Sequence, residues 1–179
     1  MCIDGRRQRG LTLIELVMFI VIVGVALAGV LTVFNVTTKS SADPMIKKQM
    51  LAIAEALLEE VQLQAFTWCD PDDTAAATAT SAAACATPEA IGPEAGETRG
   101  SATTPFDNVN DYNGLAGITT SITGTAMPSG YSAAISVAQD ALNGIAAPGS
   151  LRITVTVTRG ADSLTLEGYR TRHSPNLLP

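Results

Sequence analysis

The sequence predicts an α+β protein in which one long N-terminal helix, half membrane-spanning and half amphipathic, packs on a C-terminal antiparallel β-sheet. Three observations predict it. From Leu11 to Phe34 the only charged residue is Glu15, and about 24 residues at ~1.5 Å each make a helix long enough to cross a hydrocarbon core of ~30 Å. From Ile46 to Phe66 the apolar residues recur at helical spacing. In Leu151–Thr158 alternation is complete, with Leu, Ile, Val and Val on one face and Arg and Thr on the other.

The first element begins in a basic leader. Arg6, Arg7 and Arg9 precede the apolar run, and only Lys39 follows it closely. The positive-inside rule therefore orients the leader to the cytoplasm and the C-terminal part outside. Within the run, Glu15 is costly: an acidic residue at mid-helix costs about 2.5–3.5 kcal/mol on insertion scales. Its place near one end softens that cost without removing it, so Glu15 needs a partner from outside its own helix. An ordinary signal anchor needs neither this Glu nor a Gly before the run. A cleavable secretory signal is a further alternative, since Ala26-Leu27-Ala28 fits the small-residue cleavage pattern. The apolar run, however, continues past Ala28.

A short basic leader ending in Gly10, then Leu11-Thr12-Leu13-Ile14-Glu15-Leu16-Val17 and a long apolar helix, resembles the N-terminus of type IV prepilins and type II secretion pseudopilins. The resemblance implies a type IV pilin-like fold and cleavage by a prepilin peptidase between Gly10 and Leu11, with N-methylation of Leu11. It implies that Glu15 meets the new N-terminal ammonium of a neighbouring subunit, neutralising two costly charges on assembly. It also implies that Gly24 marks the point where the helix unwinds locally in a filament. The mature chain of this family usually begins with Phe, from which Leu11 departs. The domain organisation that follows is a leader over 1–10, a transmembrane helix half over 11–42, an amphipathic half over 43–66 and a periplasmic head over 67–179. The implied partners are other pilin subunits, the prepilin peptidase, the pilus assembly machinery and the inner membrane. No cofactor is implied.

The second half of the helix starts at an interruption, Asp43-Pro44. This pair reads either as an N-cap with Pro at the first helical position or as a kink within one helix. Lys47 and Lys48 in a first turn and Glu59 and Glu60 in a last turn would both oppose the helix dipole, which favours continuation, with Pro44 as a point of flexibility. Ile46, Met50, Ile53, Ala54, Leu57, Leu58, Val61 and Phe66 then form one apolar face. Pro71 and its flanking Asp residues end the helix.

From Thr74 to Thr104 the chain is dominated by Ala, Thr, Gly, Pro and Ser. It lacks an amphipathic pattern, which points to a loop rather than a helix. Of the three cysteines, Cys2 is in the leader, while Cys69 and Cys85 are in the exported part, where disulfides persist. A bridge between them is expected, free thiols being the alternative. Asp107, Asn108, Asn110 and Asp111, before Gly114, carry oxygens suited to a hard cation such as Ca²⁺. They lack the terminal bidentate Glu of a helix–loop–helix site, and Asx turns account for the same residues. They are a calcium candidate, and no metal site is otherwise expected.

Tyr131–Val137 and Ser163–Thr171 supply two more strands, the latter joined to Leu151–Thr158 by a turn at Arg159-Gly160-Ala161-Asp162. Three strands with one apolar face need a cover, and the amphipathic helix provides it. The Thr-rich outer face is a solvated surface or a subunit contact. Several stretches, among them Ser41–Ile46, Ala52–Val61 and Leu166–Thr171, are similar to one branch of the family, its minor pilins.

Composition excludes other classes. The net charge is −6, against the basic surface that nucleic acid requires. His173 is the single histidine, and there is no Ser elbow, phosphate-cradling Gly loop or Cys-x-x-Cys. The expectation is a structural and assembly protein, not an enzyme. The alternatives are a type II secretion minor pseudopilin and a membrane-anchored periplasmic binding domain that does not polymerise.

Overall fold

The structure of the protein is a computed structural model describing residues 10–176. Cys2 and the leader arginines lie outside the described residues. The chain divides into two compact units, 1–46 and 47–179.

The first element, α1, is a single α-helix over Leu13–Leu63 with Pro44 inside it. Of the two readings of Asp43-Pro44, continuation is the one adopted. Pro44 has no N–H, so the backbone bond it would donate one turn back is missing there. In the first unit, Leu13–Asn35 is long and apolar enough to cross a membrane by length and composition.

In the second unit the helix buries Met50, Ala54, Leu57 and Val61, at spacings of one and two turns. Ile53 and Leu58 are half-buried beside them, while Lys47, Lys48, Glu55 and Glu59 stay exposed. The helix stops at Leu63, earlier than the Phe66 expected from periodicity. Ala65, Phe66 and Thr67 are all buried, and three consecutive residues cannot all face one side of a helix. Instead the chain extends. Ala65 pairs with Asn108, its carbonyl accepts from Val109 N at 3.0 Å, and Thr67 Oγ1 donates to the Cys69 carbonyl at 2.6 Å.

The sheet is three-stranded and antiparallel in the order β1-β2-β3, with β1 over Tyr131–Gln139, β2 over Ser150–Arg159 and β3 over Asp162–Thr171. Its register places Ile135 opposite Val155 and Val155 opposite Leu166. Leu151, Ile153, Val155 and Val157 are buried, as are Tyr131, Ala133, Ile135 and Val137, so the alternation in the sequence became the inner face. Arg159 pairs with Asp162, leaving a two-residue turn at Gly160-Ala161. Gly160 takes φ +59, as the first position of such hairpins requires. A second tight turn, Asn143-Gly144, has φ 45 and 88 between the paired Leu142 and Ile145.

Side chains tie the helix to the sheet. Tyr131 Oη donates to Gln49 Oε1 at 2.5 Å, and Arg170 Nη2 donates to the Gln64 carbonyl at 3.2 Å. Gly168 lies on the inner face of β3, where a Cβ would come within 2.6 Å of Gln62 Nε2 and 2.9 Å of Leu58 Cδ1. Gly168→Ala is therefore expected to lower stability by about 1–2 kcal/mol, because both contacts are mobile side-chain ends that yield at a cost. The urea midpoint of the head measures it, with Glu59→Ala on the exposed face as the near-neutral comparison.

The Ala/Thr-rich segment is a loop, with only a short 3₁₀ turn at Ala82–Ala84. Cys69 and Cys85 are joined, with S–S 2.00 Å and Cα–Cα 5.3 Å. Cys69, Ala76 and Ala79 make a small buried cluster with Trp68 and Ala75 against it. The C-terminal segment latches the loop: Asn176 Nδ2 donates to the carbonyls of Ala76 and Ala79, each at 2.9 Å.

Candidate functional site

The N-terminal site is built from the start of α1. Gly10 and Leu11 are exposed and precede the helix. Thr12 caps it: its Oγ1 accepts from Glu15 N at 3.4 Å, and its carbonyl accepts from Leu16 N at 3.1 Å. Thr12-x-x-Glu15 is the spacing of a capping box, so Glu15 lies in the first turn, where the helix dipole favours a carboxylate. Among the described residues no hydrogen bond or ion pair holds that carboxylate.

Around Glu15 the helix is bare. Leu13 is 80% exposed, Ile14 71% and Phe19 64%, and the exposed apolar surface continues to Leu31. A patch of this extent marks a membrane or a partner. The arrangement offers an exposed segment before the helix, a carboxylate in the first turn that is unpaired among the described residues, and an apolar rod around it. Gly24 is helical here.

The head holds a second set of polar groups. Asn108, Val109, Asn110, Asp111 and Tyr112 are buried. Val109–Tyr112 form a 3₁₀ turn closed by a capping box between Asn108 and Asp111. Asp111 Oδ2 accepts from Asn108 N at 2.7 Å and Asp107 N at 3.0 Å. Asn108 Nδ2 donates to Thr67 Oγ1 at 2.6 Å. Asn110 Nδ2 donates to Glu89 Oε1 at 2.6 Å and also to the Ala90 carbonyl.

The calcium candidate read from the sequence is thus not assembled as one loop. Its capping role turns Asn108 inward, and its two acids part company: Asp107 joins Asp70 and Asp72, while Asp111 joins Glu89 and Glu94. Glu89 and Glu94 were missed because they lie in the Ala/Thr-rich loop, which has no periodicity to place them. Burial, with Glu94 close by, pushes Glu89 up to about 9. Burial and the Glu97 and Glu94 charges push Asp111 up to about 8, and burial with Glu97 and Asp70 nearby pushes Asp107 up to about 7.

Arg99 was also missed. Its Nε and Nη2 donate to Glu60 Oε1 and Oε2, both at 2.7 Å, and Nη1 donates to the Thr120 carbonyl at 2.9 Å. This bidentate pair pins the loop and the Thr120–Ala126 hairpin to α1. Arg172 lies over the rings of Phe66 and Trp68, at 3.9 and 4.2 Å.

The family described as "Prokaryotic N-terminal methylation motif" matches residues 5–31. That motif characterises the type IV pilin and pseudopilin superfamily, and its processing involves a prepilin peptidase. The long apolar helix and the helix-on-sheet head are pilin-like as a fold, and the N-terminal segment carries the motif. Proteins of this class are structural and non-enzymatic, and their general place is the inner membrane and the pilus. The matched residues end at Leu31 and include none of the second unit. No curated protein and no solved structure matches the chain.

Proposed function

We propose that this protein is a minor pilin of a type IV pilus of the MSHA (mannose-sensitive haemagglutinin) kind, similar to MshD. The observation that carries the assembly reading is the Glu15 carboxylate, unpaired among the described residues, in the first turn of an exposed apolar helix and within the matched motif. The MSHA reading rests on the sequence similarity of Ser41–Ile46, Ala52–Val61, Phe66 with Cys69–Asp73, Asp107–Gly114 and Leu166–Thr171.

In this proposal the chain enters the inner membrane with its leader in the cytoplasm and its head in the periplasm. The peptidase cuts between Gly10 and Leu11 and methylates Leu11. Glu15 then pairs with the terminal ammonium of an adjacent subunit. Taken one at a time, each charge is expensive in lipid; together, well hydrogen-bonded, they fix the axial register of the stack. Gly24 is the point of local unwinding and Pro44 the point of bending in the filament. A type II secretion minor pseudopilin shares every one of these features, and deletion separates the two by which machinery fails.

The N-terminus of protein isolated from the envelope is the first test, by intact mass and N-terminal sequencing. N-methylated Leu11 is the expected start. A start at Gly29 would mean a cleaved secretory signal, and an uncut Met1 a plain anchor; either ends the assembly proposal. Glu15→Ala is expected to leave export and head folding unchanged while removing the protein from sheared filaments.

A further inference from the structure

We propose that Glu89, Glu94 and Asp111 form a calcium site that fastens the Ala/Thr-rich loop to the buried 3₁₀ turn of the head. One carboxylate oxygen from each of the three lies within 4.8 Å of the other two. Asp111 is only 1% exposed. Its Oδ2 is taken by two backbone amides, while Oδ1 is buried with no partner, and Glu89 Oε2 is in the same condition. A buried carboxylate oxygen without a donor is costly and rare in folded proteins.

Asp111 is therefore a fully enclosed acid aimed at two others, with lone pairs that no protein donor meets. The neighbouring Asn110, 2% exposed, adds an amide oxygen that is also unpartnered, on the same side chain that donates to Glu89. Among the described residues no salt bridge joins these three acids to a cation. Arg172, which feels the Glu89 charge, lies over two aromatic rings and donates to the Pro148 carbonyl at 2.8 Å, while its Nε has no partner among the described residues.

A hard divalent cation resolves the conflict, because it supplies the charge and accepts several oxygens at once. Calcium fits better than magnesium. The oxygens come from a loop and a turn in irregular array, which calcium's flexible coordination tolerates and magnesium's octahedron does not. The ion would cross-link segments that the disulfide leaves untied, since Glu89 and Glu94 follow Cys85 in the chain. The second acidic group, Asp70, Asp72 and Asp107, is more open. Asp70 Oδ1 already accepts from Asp72 N at 2.7 Å, and it serves as the comparison.

The experiment uses the full chain in detergent micelles, stripped with chelator and titrated with CaCl₂, MgCl₂ or NaCl at matched ionic strength. Calorimetry gives stoichiometry, and Trp68, the single tryptophan, reports locally because its carbonyl accepts from Glu89 N at 3.0 Å. Expected are one calcium ion per chain, a midpoint on the order of 0.1–1 mM as in extracellular modules, a saturable Trp68 signal and a higher unfolding temperature. Glu94, half-buried and in side-chain contact with Glu97, provides the variant. Glu94→Gln is expected to weaken calcium binding at least about tenfold and to unfold normally in chelator. Asp72→Asn is expected to bind like the parent. If Glu94→Gln fails to fold, Glu89→Gln, which keeps an oxygen for Asn110, takes its place with the same expected weakening. No saturable binding up to roughly 10 mM, an equal effect of NaCl, or loss of binding in Asp72→Asn in place of the Glu variants would overturn the proposal. Each readout reports on the head within the full chain and does not depend on filament assembly.

Discussion

Arg99→Ala is expected to destabilise the head by about 3–5 kcal/mol, the range for breaking one half of a buried pair. The side chains of Arg99 and Glu60 are each only 10% exposed and meet in a bidentate contact at 2.7 Å. The guanidinium is held charged by this hydrogen-bonded contact. Removing it leaves a carboxylate enclosed against α1, near Tyr112, whose hydroxyl is itself pushed upward by burial and by Glu60. The Thr120 carbonyl loses its donor as well. A pair at the surface would instead be worth about 0–1 kcal/mol, so the size of the loss decides which regime applies. Chemical denaturation of the parent, Arg99→Ala, Glu60→Gln and an Arg99→Met, Glu60→Leu double variant gives the answer. The double variant should recover most of the loss, since replacing both partners removes the orphaned charge. A single-variant loss below about 1 kcal/mol would mean that the pair is solvated in solution.

Replacing Cys69 and Cys85 together with Ser is expected to cost about 3 kcal/mol. The bridge spans a sequence separation of 16, and closing a loop of that size removes roughly that much unfolded-state entropy. The effect is local in the folded state. Cys69 is fully buried with Ala76 and Ala79, a cluster too small to hold the loop by apolar burial alone. The Asn176 latch binds the same two residues, so freeing the loop also frees the C-terminal segment. Trp68 fluorescence should change while the secondary structure of helix and sheet is retained. Reduction of the parent with dithiothreitol should reproduce the variant's unfolding midpoint. Identical midpoints before and after reduction would show that the latch and the cluster suffice without the bridge.

Much of the fold was legible because it is written in local periods. Met50, Ala54, Leu57 and Val61 recur at helical spacing and are the helix residues that became core. Leu151, Ile153, Val155 and Val157 alternate and became the inner face of β2. The turn at Arg159–Asp162 was equally plain. The end of α1 was not, because Phe66 fits the helical period and is also buried in the extended segment that follows, so its hydrophobicity carries no information about which backbone holds it. The tight turn at Asn143-Gly144 had a signal, the Asn-Gly dipeptide, which the sequence reading passed over.

The N-terminal motif was legible because it is local: Gly10, the apolar start at Leu11 and Glu15 lie within six residues of one another. The head's polar chemistry was largely illegible. Asp107 and Asp111 look like one cation loop in the sequence, yet the capping box sends them to different neighbours. A sequence period states which side of an element a residue occupies; it does not state what stands opposite.

By itself, then, the sequence determined the apolar rod, the processing motif, the amphipathic half of α1 and the alternating strands. Each of these is set by hydrophobic burial and backbone geometry within a few residues. Tertiary structure alone decided that Glu60 meets Arg99, that Gly168 admits Leu58 and Gln62, and that Asp111 faces Glu89 and Glu94. Those pairings join segments far apart in the chain, and they are fixed by how the loop closes over the helix and sheet, where packing and the need to satisfy buried charge select among many partners.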